Sequence, residues 1–141
     1  MPKFLAISII SVLVYLSVSA QQKVGSGIHP PLDIPIFLSG NFGELRSTHF
    51  HAGIDLKTQG KTGFPVLAAF EGYISRIKVQ SGGYGYALYL THPNGYTTVY
   101  AHLDRYRSDV QQFVEDQQYL KRSYEIELFP PADKFQFAAG D

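Results

Sequence analysis

Hydrophobic and polar side chains alternate with a period of two through the middle of this chain, which predicts β-strands. The clearest case is a pair of runs over residues 86–92 and 96–103, both rich in β-branched and aromatic side chains. Asn94-Gly95 stands between them, and Asn-Gly between two such runs is a strong signal for a β-hairpin. With these two as the loop residues, the expected cross-strand pairs are Leu90 with Val99 and Ala87 with His102.

Shorter patterns predict the rest of the fold. Further strands are expected over residues 34–38, 65–70, 73–79 and 124–129. One helix is expected over residues 108–121, because Ser108 is a typical N-cap residue and apolar side chains then recur at helical spacing. That apolar stripe consists of Val110, Phe113, Val114 and Leu120. The sequence therefore predicts a mostly β fold, an antiparallel sheet or sandwich that carries one helix.

The first twenty residues have the layout of a secretory signal peptide. Lys3 precedes an apolar run over residues 4–18, and Val18-Ser19-Ala20 forms a small-residue cleavage pattern before Gln21. A membrane-spanning helix needs about 20 apolar residues, so a retained membrane anchor is the less favoured alternative. We expect a signal peptide over 1–20, an irregular lead-in over 21–33 and a folded domain over 34–141. The cleaved protein would be periplasmic or extracellular and would not remain in the membrane.

Composition excludes several functions. The 12 Lys and Arg residues balance 12 Asp and Glu residues, whereas nucleic-acid binding needs a basic surplus, so no nucleic-acid partner is expected. The absence of Cys excludes a disulfide framework, a thiolate zinc site and a cysteine nucleophile. Hydrophobic residues make up 45% of the chain, which is too much for a disordered segment. The counts therefore favour an ordinary folded domain.

Candidate chemistry concentrates around His51 and Asp55. A period of two over residues 49–57 predicts a buried apolar side and an exposed polar side that carries both residues. Residues four apart in an ideal strand lie about 13 Å apart, whereas two ligands of one zinc ion need donor atoms within about 4 Å. The chain must therefore bend, and Gly53 is where it bends at least cost. A polar strand edge with a surface histidine is the alternative that this spacing leaves open. The expected apolar side consists of Phe50, Ala52, Ile54 and Leu56.

His102 is the second candidate. Alternation along the hairpin puts it on one face with Thr98 and Tyr100, and puts Leu103 on the opposite face. A neutral imidazole near a metal ion can orient water or stabilise a developing oxyanion. A half-exposed strand histidine without a catalytic role is the alternative.

The other polar residues near these candidates are expected to be structural or solvent-facing. His92 lies at the mouth of the hairpin turn and is expected to have a structural role. His49 and His29 are expected at the surface, and Glu44 and Arg46 are expected to form a solvated ion pair.

Five short motifs follow one another along the chain. They are HAGID at 51–55, GYI at 72–74, GYGYAL at 83–88, HPNGY at 92–96 and VYAHL at 99–103. In this order and spacing they resemble the lysostaphin-type zinc metalloendopeptidases, which cleave peptide stems or cross-bridges of bacterial peptidoglycan. The segment SGNFGELR at 39–46 resembles the entry to a secreted Gram-negative branch of that family. The resemblance covers about residues 34 to 141.

The resemblance implies a site and a mechanism. His51 and Asp55 would be ligands of one Zn²⁺ ion, and His102 would be a catalytic histidine beside it. The fold would be a mostly antiparallel sheet under a long groove that binds a peptidoglycan peptide. The reaction would be metal-assisted hydrolysis of a peptide bond.

One departure from the family puts activity in doubt. Family members carry a Gly-rich C-terminal strand that ends in Gly-Pro-His-x-His-Phe, where the second His is the third zinc ligand and the first is another catalytic histidine. No His follows His102 in this sequence. Catalytic zinc usually has three protein ligands, so we expect an incomplete domain with weak or absent zinc and little activity alone. The alternative is a non-catalytic module that binds the cell wall or activates other hydrolases.

Overall fold

This computed structural model describes residues 27–141, so the predicted signal peptide and the start of the lead-in lie outside the described residues. The elements are β1 (Leu38–Gly40), β2 (Asp55–Leu56), β3 (Gly72–Val79), β4 (Tyr86–Thr91), β5 (Thr97–Leu103), α1 (Ser108–Lys121), β6 (Ile126–Leu128) and β7 (Gln136–Phe137). Every pairing between these strands is antiparallel. The predicted mostly β class with one helix is confirmed.

The strands form two separate sheets. The large sheet has the order β5-β4-β3-β6, and β7 also pairs with β3. Strand β6 pairs with one end of β3, over residues 77–79, and β7 pairs with its other end, at Gly72 and Tyr73. The small sheet contains only β1 and β2, and it carries Asp55.

The hydrophobic core lies between the large sheet and the helix. Ile74 and Ile77 of β3 and Val110 and Val114 of α1 are all fully buried. Two buried residues three positions apart in one strand break the period of two. The cause is a register shift between Ile74 and Arg76, which is typical of a β-bulge. This irregularity explains why the apolar alternation over residues 73–79 is mixed.

The helix has its predicted bounds but not its predicted cap. The N-cap residue is Arg107, and no side chain caps the helix, so the expected role of Ser108 is wrong. The Arg107 guanidinium instead donates two hydrogen bonds of 2.8 Å to the Asp109 carboxylate in the first turn. Leu120 is exposed, so the buried stripe is shorter than predicted. Within residues 27–141, no helix is long and apolar enough to cross a membrane.

The predicted hairpin is present, but its register differs by one residue over residues 88–91, whereas Tyr86 pairs with Leu103 in the predicted register. Leu90 pairs with Thr98 rather than with Val99. The loop has three residues, 93–95, instead of two, because the His92 N–H donates a 2.9 Å hydrogen bond to the Tyr96 carbonyl. Within the loop, the Gly95 N–H donates to the His92 carbonyl at 2.9 Å. Gly95 has a φ of +83°, as three-residue hairpin loops require at that position.

Three predicted strands change. Strand β1 begins only at Leu38, and 124–129 shortens to Ile126–Leu128. Residues 65–70 form no strand of the named sheets. Their backbone is satisfied by isolated hydrogen bonds instead, from Leu67 to Pro31 and between Ala68 and the last two residues. The Ala69 N–H donates a 2.8 Å hydrogen bond to the Tyr100 hydroxyl of β5, which connects residues 65–70 to the large sheet without making them part of it.

Candidate metal centre

The small sheet and the loop before it bring His51 to Asp55. Asp55 pairs with Gly40 across β1 and β2. Residues 41–51 fold back on themselves, because the His51 N–H donates to the Glu44 carbonyl and the Gly43 N–H donates to the His51 carbonyl, both at 2.8 Å. His51 is thereby fixed next to the strand that carries Asp55.

The two side chains converge. His51 Nε2 lies 3.2 Å from Asp55 Oδ1. The chain bends at Gly53, which is what a four-residue spacing requires for such an approach. His51 is largely buried, with 18% of its side chain exposed, and Asp55 is half-buried with 39% exposed.

The hydrogen bonds of the His51 imidazole indicate whether a proton or a metal ion is needed between His51 Nε2 and Asp55 Oδ1. His51 Nδ1 lies 3.0 Å from the Asn41 carbonyl oxygen, which can only accept, so Nδ1 carries a proton. In a neutral ring, Nε2 then has a bare lone pair that faces a carboxylate oxygen. Two such atoms at 3.2 Å repel each other unless a proton or a metal ion lies between them.

The spacing of the donor atoms fits zinc. Two tetrahedral zinc ligands at bond lengths of about 2.0–2.2 Å have donor atoms about 3.3–3.6 Å apart. The 3.2 Å between Nε2 and Oδ1 is close to that range. Imidazole nitrogen and carboxylate oxygen are also among the donors that zinc accepts. Among residues 27–141, no group of three or more His, Cys, Asp or Glu residues is arranged to hold a metal ion.

The expected ion pair between Arg46 and Glu44 is present, and Arg46 also contacts this site. Its Nη2 atom donates to Asp55 Oδ2 at 2.7 Å and to Glu44 Oε2 at 3.0 Å. Residue spacing alone gives no signal for the contact with Asp55, because it depends on how the loop that carries Arg46 folds back.

The predicted faces of residues 49–57 are wrong. Phe50 and Ile54, expected to be buried, are 69% and 56% exposed, whereas His51 is largely buried. Only Asp55 and Leu56 form regular strand in this segment. The hydrophobic core of the described residues includes no member of β1, β2 or the 41–51 loop. Polar contacts, not apolar burial, therefore decide which side chains turn inward here.

His102 lies on a β-bulge in β5. The pairs Tyr86–Leu103 and Leu88–Tyr100 flank the irregularity, so Ala87 lies opposite two residues, Ala101 and His102. As a result Tyr100 and Leu103 both pack against the core, which contradicts their predicted opposite faces.

The bulge gives His102 a strained backbone and an exposed ring. Its φ is +56°, a left-handed conformation that costs energy for any residue with a Cβ. Its N–H donates to the Tyr84 carbonyl at 2.9 Å, and its ring lies edge-on to that of Tyr84 with centroids 6.4 Å apart. His102 and Tyr84 together form a projecting pair of rings at the end of the hairpin.

His92 lies in the interior and is fully hydrogen-bonded. Its Nδ1 lies 2.8 Å from the Glu71 carbonyl, and its Nε2 lies 2.9 Å from Thr98 Oγ1. A Cβ on Gly72 would collide with this ring, so only glycine fits there. Both ring nitrogens of His92 are occupied by protein groups. His49, by contrast, is exposed and has its Nδ1 3.1 Å from Thr48 Oγ1.

Comparisons with known proteins point to one family. The sequence pattern of peptidase family M23 matches residues 49–125, which include His51, Asp55 and His102. Two proteins named DD-carboxypeptidase/endopeptidase Mpg, from Neisseria meningitidis serogroup B and Neisseria gonorrhoeae, are each 37% identical over 91 residues. The aligned region covers 61% of this chain and 20% of each relative, so the chain spans about a fifth of their length. No solved structure shows a significant match.

Proposed function

This chain belongs to peptidase family M23, and on that premise we propose that it is an exported zinc metalloendopeptidase that hydrolyses peptide bonds in bacterial peptidoglycan. The observation that carries the proposal is the convergence of His51 Nε2 and Asp55 Oδ1 to 3.2 Å. Support for the substrate comes from the order of the five sequence motifs between residues 51 and 103.

Each residue has a distinct part in this proposal. His51 and Asp55 would hold a zinc ion through Nε2 and Oδ1, and the Asn41 carbonyl would keep the proton of His51 on Nδ1. When bound, zinc would polarise the scissile carbonyl and lower the pKa of a water molecule. His102 would donate a hydrogen bond to the oxygen on which negative charge develops, or carry a proton to the leaving amine.

A third protein ligand is needed for tight zinc binding. The family resemblance assigns it to a His-x-His strand, and no His follows His102 in the 141 residues. We therefore propose that these residues bind zinc weakly and that turnover requires the His-x-His segment.

Zinc titration and digestion of purified peptidoglycan test the site. The 141-residue chain and a version extended through a His-x-His strand would be compared, each with and without His51→Ala or Asp55→Ala. We expect both substitutions to abolish zinc retention and, in the extended version, the release of soluble peptides. His102→Ala in that version should retain zinc and lose turnover. Normal hydrolysis by the His51→Ala variant would refute the assignment.

Export is tested separately. Expressed with its first 20 residues in a Gram-negative host, the protein should appear outside the cytoplasm with Gln21 as its first residue. N-terminal sequencing of the recovered protein measures this. Recovery of an intact N-terminus in the membrane fraction would instead favour the retained anchor.

A further inference from the structure

We propose that Arg46 is a positioning residue for this metal site. Its guanidinium holds Asp55 by the carboxylate oxygen that faces away from His51, so that the other oxygen is presented to the metal. This inference rests on the proposed function and adds a residue to it.

The geometry puts Arg46 behind the ligand pair and not between its members. Arg46 Nη2 lies 2.7 Å from Asp55 Oδ2 and 3.4 Å from His51 Nδ1. The atoms that face each other are the opposite ones, Asp55 Oδ1 and His51 Nε2. Arg46 therefore bonds the Asp55 oxygen that does not face His51 Nε2, and it fixes the orientation of the carboxylate from the rear.

A count of hydrogen atoms shows how the contacts are shared. Arg46 Nη2 has two hydrogens, and the carboxylates of Asp55 at 2.7 Å and Glu44 at 3.0 Å accept them. None is left for His51 Nδ1, whose own proton goes to the Asn41 carbonyl. The Asn41 N–H in turn donates to Glu44 Oε2 at 3.3 Å. One connected network thus fixes both metal ligands, and Glu44 balances the charge of Arg46.

The backbone of β1 leaves room for this contact. Gly40 pairs with Asp55, and a Cβ at Gly40 would lie well under 3.0 Å from both Asp55 Oδ2 and Arg46 Nη2. Any other residue at position 40 would force these two groups apart. The lack of a side chain at Gly40 is therefore an independent sign that the Arg46–Asp55 contact is built into the site.

A second role for Arg46 predicts the opposite effect. A positive charge this close to a metal repels it, so an arginine that merely neutralised Asp55 would compete with zinc. Its removal would then tighten zinc binding. Removal of a positioning residue loosens it instead, because Asp55 becomes free to rotate. Partners behind metal ligands are typically worth about 10–100-fold in affinity.

The test is a calorimetric Zn²⁺ titration of the full chain, its Arg46→Met and Arg46→Lys variants, and Arg76→Met as a matched control. Arg76 also pairs with a carboxylate, that of Glu127 in the large sheet. Arg46 and Arg76 both have a buried Nε without a hydrogen-bond partner among the described residues. Arg46→Met should weaken zinc binding about tenfold or more, Arg46→Lys should recover part of that loss, and Arg76→Met should bind as the parent does.

Nitrogen-edited spectra of the His51 ring give a second readout, since zinc at Nε2 shifts that nitrogen and leaves the proton on Nδ1. Unchanged or tighter zinc binding by Arg46→Met would overturn the inference. Gly40→Ala provides a second variant should Arg46→Met fail to fold, and it should show the same loss. Its loss should also not add to that of Arg46→Met, because both break one contact.

His51→Ala separates this inference from the function on which it rests. If His51→Ala binds zinc as the parent does, the proposed site itself is wrong. If His51→Ala loses zinc but Arg46→Met does not, only the role of Arg46 falls.

Discussion

The large and the small sheet are held together by different forces. In the large sheet, Ile77 and Val110 have no exposed surface, and the hydrophobic effect stabilises the contact between strand and helix. Beside the small sheet, Phe50 and Ile54 face solvent, and the ion pairs of Arg46 with Asp55 and Glu44 connect the backbone segments. The scaffold and the proposed metal site should therefore respond to different substitutions: loss of apolar volume in one, loss of polar contacts in the other.

The largest effect on stability is expected from Ile77→Ala in the large sheet. A fully buried isoleucine loses its packing and leaves a cavity, which costs about 2–5 kcal/mol. The same substitution at Ile54, which directly precedes β2 of the small sheet, should change stability by less than about 0.5 kcal/mol, because that side chain is 56% exposed. Urea unfolding measures both. Similar losses at the two positions would contradict the division between the sheets.

A smaller effect is expected at His102, whose backbone conformation is strained. His102 has a φ of +56°, which glycine adopts without strain, so His102→Gly should be about 1 kcal/mol more stable than His102→Ala. Val99, in the regular part of β5, is the control: there the glycine variant should be less stable than the alanine variant. The measurement is the free energy of unfolding of the glycine and alanine variants at both positions. Equal stability of the two His102 variants would show that the bulge stores no strain.

The smallest effect is expected at the start of the helix and depends on pH. The hydrogen bonds from Arg107 hold the pKa of Asp109 below its ordinary value. A carboxyl group whose pKa is lowered in the folded state stabilises the protein at pH values above the pKa that it has in the unfolded state. That stabilisation is lost as the pH falls through the pKa of the folded state. Asp109→Asn should therefore cost about 0.2–1 kcal/mol at pH 7, since both side chains are half exposed. The difference should vanish in acid, and a constant difference across the titration would contradict the ion pair as its cause.

The parts of this fold that the sequence predicted are those decided by local pattern. Residues 108–121 form a helix because Val110 and Val114 recur on one side of it, and residues 86–103 form a hairpin because a turn signal lies between two β-rich runs. Neither pattern depends on what the rest of the chain does.

The predictions are wrong where contacts between residues that are distant in sequence decide the local structure. The faces of residues 50–55 are reversed because Arg46 and Asn41, which lie earlier in the chain, draw Asp55 and His51 inward. The segment 65–70 has the composition of a strand, but its backbone partners are isolated residues that include the last two of the chain. Proximity of His51 to Asp55 followed from zinc geometry, whereas the contribution of Arg46 had no signal in the residue spacing alone.

The three-residue hairpin loop also has consequences for how this sequence can vary. The loop sets an offset that pairs Thr91 with Thr97, and the far end of the hairpin pairs Tyr86 with Leu103, which is one residue out of step. The bulge at His102 absorbs that difference. An insertion or deletion at residues 93–95 would therefore shift the register and reposition a side chain at the opposite end of the strand. The length of a surface loop usually varies freely between related proteins. Here the length of the loop is coupled to the position of His102, a residue of the proposed active site.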